Sequence, residues 1–325
     1  MKPGRRKFLL VAASAVASPA ISRIARADAY PTRPVHLIVP VPPAGTFDIV
    51  ARLAAQPLSQ RLGQQIVIDN RGGAGTNIGT AAVAHATPDG YTLLLSGSPG
   101  AINATLYTDL DFSFARDLTP VASIERAPLI MVVNPTFPAK SVPDFIAYAK
   151  ANPGKINMGS GGVGSTGHVA GELFNLMTDI KMAHVPYRGE APSVTDVIAG
   201  QIQVMFSTPG SVVSFVRAGT LRALAVTGAK RMDILPDVPA IAETVPGYEA
   251  VSWAGISAPA KTPADIVDKL NQETNAVLAD PALQARYAEF GAKVMTGSPA
   301  DFKTFIAAEI EKWAKVVKFA GLKPE

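Results

Sequence analysis

Residues 35–48 read Val35-His36-Leu37-Ile38-Val39-Pro40-Val41-Pro42-Pro43-Ala44-Gly45-Thr46-Phe47-Asp48, a short β-rich run, a turn of small residues and an acidic helix start. An apolar run this short, closed by prolines, reads as a strand rather than a helix. Asp48 opens a helix through about Leu62, with Ile49, Leu53 and Leu58 on its apolar side. Strand, turn and helix then recur through both halves of the chain. That alternation predicts a parallel sheet flanked by helices, an α/β fold.

Working outward, Ile66-Val67-Ile68 begins the next unit, which leads through Arg71-Gly72-Gly73-Ala74-Gly75 to a helix from about Asn77 to Ala86, and Thr92–Leu95 is a third strand. From Leu129 to Val133 a strand enters a second lobe, where Ser141-Val142-Pro143-Asp144 fits the start of a helix reaching Ala151. Ile156–Met158 is a strand, Gly159–Gly167 a glycine-rich turn, and Ser165–Met177 a helix. A helix over Ser193–Ala199 and strands over Gln203–Phe206 and Leu221–Val226 follow. Trp253–Ala258 reads as a return strand, with Trp253 as core or hinge packing. Thr262-Pro263-Ala264-Asp265 and Ser298-Pro299-Ala300-Asp301 then start two amphipathic helices that finish the chain on the first lobe. The expected organisation is a first lobe of residues 28–128 plus 251–325 and a second of residues 129–250. Two crossings join them, and a cleft lies between.

The chain has 325 residues, 48% of them hydrophobic and 17% charged, with 27 Gly and 27 Pro, which excludes disorder, coiled coil and collagen. The absence of Cys removes disulfides, thiolate zinc sites, iron–sulfur clusters, cysteine nucleophiles and acyl-thioether anchors. The net charge of +4 comes entirely from residues 1–27, where Lys2, Arg5, Arg6, Lys7, Arg23 and Arg26 face no acidic residue. The remainder holds 24 basic against 26 acidic side chains, so no basic face is left for a nucleic acid. That first segment, with an apolar stretch from Phe8 to Ile21 and then Ala25-Arg26-Ala27, reads as an export signal cleaved after Ala27. Arg5-Arg6-Lys7-Phe8-Leu9 resembles a twin-arginine signal. The expectation is a protein outside the cytoplasm, without a lipid anchor.

No enzymatic constellation stands out. His36, His85, His168 and His184 are scattered, with no i, i+4 pair among them and no neighbouring carboxylate at ligand spacing, so neither a metal nor a cofactor is expected. Gly159-Ser160-Gly161-Gly162-Val163-Gly164 matches G-x-G-x-x-G, yet no strand ends in an acidic residue about 20 positions on to take a ribose. The strand-to-helix turns themselves carry more information. Built from Gly, Ala, Ser and Thr, they expose backbone N–H groups at positive helix ends, where a carboxylate fits. Ser165 and Thr166 can donate to the same anion, and Asp48 would cap its own helix. A bulky residue at Gly164 is expected to abolish ligand binding and leave folding intact. Arg71 and Arg188 are the few charged side chains near these turns.

Taken together, Ala29-Tyr30-Pro31, the Pro-Pro-x-Gly-x-x-Asp core from Pro42 to Asp48, Asp69-Asn70-Arg71, Pro88-Asp89-Gly90-Tyr91-Thr92, Gly159–Ser165, His184-Val185-Pro186-Tyr187 and Leu235-Pro236-Asp237-Val238-Pro239 resemble the Bug family. These are extracytoplasmic solute receptors of tripartite tricarboxylate transporters. The resemblance covers residues 29–320. It implies a two-lobed periplasmic binding protein, a Venus flytrap of type II-like form, that captures a small organic acid as a monomer and delivers it to a large and a small membrane subunit. A receptor feeding a membrane signalling protein is the alternative. The family's binding loops fall on Pro43, Ala44, Gly45, Thr46 and Asp48, and on Ser160, Gly161, Gly162, Gly164, Ser165 and Thr166. Where many relatives have glycine this chain has Ala44, and where many read Phe-Asp it has Phe206-Ser207. The loss of a carboxylate at Ser207 implies a plain mono- or dicarboxylate ligand rather than one carrying an ammonium group.

Overall fold

A computed structural model describes residues 30–43 and 45–324, so the export signal and its cleavage site lie outside the described residues. The first part of the chain runs β1 (Val35–Val39), α1 (Thr46–Leu62), β2 (Ile66–Asn70), α2 (Asn77–Ala84), β3 (Thr92–Gly97), α3 (Ser98–Leu106) and β4 (Leu118–Pro128). After the single linking residue Leu129 it continues as β5 (Ile130–Val133), α4 (Val142–Ala151), β6 (Asn157–Ser160), α5 (Thr166–Thr178), β7 (Ala183–Pro186), α6 (Glu190–Ile198), β8 (Val204–Ser207), α7 (Pro209–Arg217) and β9 (Arg222–Val226). It closes with β10 (Val251–Pro259), α8 (Ala264–Leu278), α9 (Pro281–Glu289), β11 (Lys293–Val294) and α10 (Pro299–Ala320).

The strands form two sheets, in the orders β11-β4-β10-β3-β1-β2 and β7-β6-β8-β5-β9. The chain passes from one sheet to the other between β4 and β5 and returns ahead of β10. Neither sheet is wholly parallel as the sequence suggested. β10 runs antiparallel to both β3 and β4, and β5 antiparallel to both β8 and β9. The crossings dictate this: a strand that enters a lobe from the hinge must run against the strands that lead towards it. Away from the hinge the pairs β1–β2, β1–β3, β6–β7 and β6–β8 are parallel, joined by helical crossovers.

Thr227, fully buried after β9, ties the two crossings together. Its Oγ1 accepts from Leu129 N at 2.6 Å and donates to Ala250 O at 2.5 Å, so one hydroxyl holds both segments.

Packing departs from the expectation that the last helices finish on the first lobe. α8 does so, setting Val267 and Leu270 into the core of Val35, Leu37 and Leu93. α10 instead packs on α3 and β4 of the first lobe and on α5 of the second. Leu106, Trp253, Ile306 and Trp313 thereby share one core with Met131, Phe145, Phe174, Phe206 and Tyr248. Burial of each such Phe contributes about 1.5–3 kcal/mol. Inside this core Glu309 accepts from the indole nitrogens of Trp253 at 3.1 Å and Trp313 at 2.9 Å, and pairs with Lys312. No described helix is long and apolar enough to cross a membrane.

Candidate functional site

The turn after β1 and the segments that open α6 and α7 face one another across a cavity of about 560 Å³ between the lobes. Gly45 and Thr46 at the start of α1, Arg188, Gly189 and Glu190 at the start of α6, and Thr208, Pro209 and Gly210 at the start of α7 line its polar part. The first-turn amides of a helix have no partner within it, and the helix dipole adds positive charge there. Three such ends gather on one cavity; Glu190 takes the end of α7, and the start of α1, whose N-cap Gly45 has no side-chain cap bond, is left for an anion. The remaining wall is largely apolar, with Val41, Phe47, Val50, Ala127, Pro192, Tyr287 and Phe290.

Two carboxyl groups reach this cavity. Glu190 accepts from Ser207 Oγ at 2.9 Å, from Thr208 Oγ1 at 2.7 Å and from Thr208 N at 3.4 Å. Its charge is therefore met by donors and by the positive end of α7. Glu125, on β4, is 3% exposed, and its Oε2 has no partner among the described residues. Burial pushes its pKa up to about 8, which keeps it protonated at neutral pH.

Of the residues singled out from the sequence, Gly45 and Thr46 line the cavity. Pro43 is exposed and not part of its wall, and Ala44 lies outside the described residues. Asp48 does not cap α1: the N-cap is Gly45, without a side-chain cap bond. Asp48 is buried, paired with Arg52 at 2.9 Å and accepting from Asn70 Nδ2 at 3.0 Å. Asn70 Nδ2 also donates to Val41 O, so the trio fixes the turn from behind. An i, i+4 partner thus outcompetes the capping role expected of the first acidic residue.

The glycine-rich turn after β6 backs the cavity rather than lining it. Ser160 Oγ shares a 2.6 Å hydrogen bond with His184 Nε2 and accepts from Gly162 N. Gly189 N donates to Gly161 O, and Tyr187 N to Ser160 O, which seats the Arg188–Glu190 segment on this turn. Ser165 caps α5 by accepting from His168 N, and Thr166 is the first residue of that helix. Gly164 has φ +74°, and a Cβ there would stand 2.6 Å from Leu106 Cδ2 of the first lobe. A side chain at this position would meet a left-handed backbone and the Leu106 side chain of the opposite lobe, so a loss of stability is expected alongside any loss of binding.

Two further expectations change. His168 and His184, far apart in sequence, stack at 3.5 Å beneath the turn. Glu172 Oε1 approaches His168 Nε2 at 3.8 Å, so a carboxylate does stand one helical turn away. Even so, the described residues hold no group of three or more His, Asp or Glu suited to a metal. A carboxylate is also not missing from the Ser207 position, because Glu190 supplies one there. Sequence reading started α6 at Ser193 and so treated Glu190 as loop; Pro192 in its first turn is the signal that could have moved the start back. Arg71 pairs with Asp69, away from the cavity.

Residues 50–322 match the family described as tripartite tricarboxylate transporter family receptor, TctC. BugT of Bordetella pertussis is 37% identical over 320 residues, which cover 98% of each chain. Among solved structures, an R. palustris protein with adipate is 41% identical, with TM-score 0.82, covering 91% of this chain and all of its own. MatC of Rhodopseudomonas palustris, solved with bound malate, is 30% identical, with TM-score 0.79, covering 89% and 100%. Two lobes joined by two crossings, helix starts gathered on the cavity between them, and similarity along nearly the whole length agree: the chain belongs to the tripartite tricarboxylate transporter receptors of TctC and Bug type, which are solute-binding proteins and not enzymes.

Proposed function

We propose that this receptor works in the periplasm, captures a small organic carboxylate between its lobes, and delivers it to the large and small membrane subunits of a tripartite tricarboxylate transporter. The convergence of the α1, α6 and α7 starts on one interlobe cavity carries this reading. The ligand carboxylate lies at Gly45 and Thr46, with Arg188 opposite, while the Ser160–Thr166 turn holds the α6 start in place. Domain movement follows the two crossings, with residues 28–128 plus 251–325 on one side and 129–250 on the other. Relatives solved with adipate and malate support a dicarboxylate.

The test is a thermal-shift screen of protein unfolded and refolded to strip carried ligand, against mono- and dicarboxylates of two to eight carbons and against amino acids. Ligand at 100 times its dissociation constant stabilises by about 2.7 kcal/mol. A shift confined to carboxylates without an ammonium group is expected. Natively refolded protein that shifts with no acid in the panel would overturn the reading.

A further inference from the structure

β4 carries a carboxyl group that the fold leaves without a partner. Glu125 sits opposite Ala254 of β10 and Val294 of β11, so the residues directly across from it are apolar, and its Oε2 makes no hydrogen bond even though Ser252, further along β10, lines the same cavity. Its side chain lines the interlobe cavity, beside Ala127 and near Phe290, Ala292 and Tyr287. A buried polar oxygen left unsatisfied costs free energy, a cost that a bound ligand can remove.

Among the described residues no cation pairs with it. Arg126, the next residue, lines a different cavity with Lys230, Arg231 and Lys293. On α9 the phenol of Tyr287 donates to Val50 O at 3.1 Å. From α1, Asp48 is paired with Arg52. α8 directs Lys269 to Tyr30 O and Glu273 to Arg61, and α10 holds Glu309 between two indoles and Lys312. Across the cavity, Glu190 is saturated by Ser207 and Thr208, and Arg188 is the one cation on the cavity wall among the described residues. A carboxyl without a counter-ion in an apolar wall stays protonated, and a neutral acid is a hydrogen-bond donor.

We propose that Glu125 forms the far-end subsite of the cavity, donating its proton in a hydrogen bond to the second carboxylate of a dicarboxylate whose first carboxylate lies at the α1 start. This rests on the carboxylate-receptor reading and narrows it to diacids with an apolar spacer. The two carboxyl groups share one proton, the arrangement that stabilises close carboxyl pairs in general. Only the protonated receptor binds well, so affinity falls once Glu125 ionises.

Titration calorimetry of the refolded protein with adipate and with hexanoate, from pH 6 to pH 9, tests this. Adipate affinity is expected to drop about tenfold between pH 7 and pH 9, given an acid that titrates near 8, while hexanoate affinity stays level. Glu125→Gln cannot ionise and preserves the shape, so it flattens the adipate profile. Glu125→Ala removes the preference for adipate over hexanoate and keeps the weaker hexanoate binding. Adipate affinity that is level with pH, that rises with pH, or that Glu125→Ala leaves unchanged would overturn the subsite while the receptor reading stands. Failure of both acids to bind anywhere in the range overturns the subsite together with the receptor reading on which it rests.

Discussion

Gly164 offers a measurement of how tightly the lobes are joined at the binding cleft. Its φ of +74° is in the left-handed region, where alanine costs roughly 1–2 kcal/mol more than glycine. A Cβ placed 2.6 Å from Leu106 Cδ2 is about 0.9–1.4 Å inside the favourable carbon–carbon separation of about 3.5–4.0 Å. Overpacking of this kind adds about 1–3 kcal/mol, and the lower entropy of the unfolded alanine chain returns about 0.4–1 kcal/mol. Gly164→Ala is therefore expected to destabilise the protein by about 2–4 kcal/mol. Urea unfolding followed by fluorescence of Trp253 and Trp313, both fully buried, reads this directly. Only the steric part depends on Leu106, so a double-mutant cycle with Leu106→Ala separates the two. A coupling of about 1–3 kcal/mol is expected. Stability within 0.5 kcal/mol of the parent, or zero coupling to Leu106, would refute the assignment of this turn to the interlobe contact.

Other consequences follow from groups that the fold leaves with a single solution. Thr227→Val removes the acceptor of Leu129 N at the hinge and should cost about 1–3 kcal/mol in the same assay, with Thr227→Ser retaining most of the stability. A Val variant as stable as the parent would show that the hydroxyl does not clamp the crossings. Glu309→Ala leaves two buried indole N–H groups without their acceptor, for an expected loss of about 3–5 kcal/mol, and Glu309→Gln loses less because one carbonyl oxygen remains. Equal stability of the Ala and Gln variants would contradict this. Burial lowers the pKa of His168 to about 3 and of His184 to about 4, the adjacent ring adding to the effect at His168. Both imidazoles are neutral when folded, and the unfolded chain takes up protons first. Stability is then complete above about pH 6.5 and declines as the pH falls towards 4, at no more than about 1.4 kcal/mol per pH unit for each ring. Urea midpoints that stay level between pH 7 and pH 4.5 would exclude the stacked pair as a source of acid sensitivity.

Elements held by local rules were legible in the sequence. β1 announces itself through Val35, Leu37 and Ile38, and α5 through a helical pattern from Ser165 on, although Ser165, expected as a donor to the ligand, accepts from His168 N as the helix cap. α3 was not legible, because Ser98-Pro99-Gly100 has the composition of a turn. Only the fold shows that Gly100 is needed bare, with a Cβ there falling 2.6 Å from Phe114 Cζ. β4 was hidden for a related reason. Pro120, Glu125 and Arg126 break the apolar run that marks a buried strand, yet β10 pairs with it from Leu118 to Pro128, with register shifts at Ala254/Gly255 and Ile256/Ser257. The reach of α10 across both lobes has no local signature, since an amphipathic face states that something is covered and not by what.

The site teaches the same lesson about charge. The family resemblance alone implies a lost carboxylate at Ser207, and from that loss the cleft would be expected to be free of negative charge. The fold brings Glu190 back onto Ser207 Oγ at 2.9 Å, so the charge is moved by 17 positions along the chain and not deleted. Its chemical meaning changes all the same. An aspartate at 207 could aim into the cleft, whereas Glu190 is folded over the start of α7 with its oxygens occupied by Ser207 and Thr208. With its oxygens occupied in this way Glu190 is not offered to an ammonium group, and a ligand without one stays an expectation for the thermal-shift screen to test. Ligand selection then turns on which polar groups remain unpaired once the folded network is satisfied, and at this cavity the unpaired carboxyl oxygen belongs to Glu125, which as a neutral acid is a donor rather than an acceptor for an ammonium group.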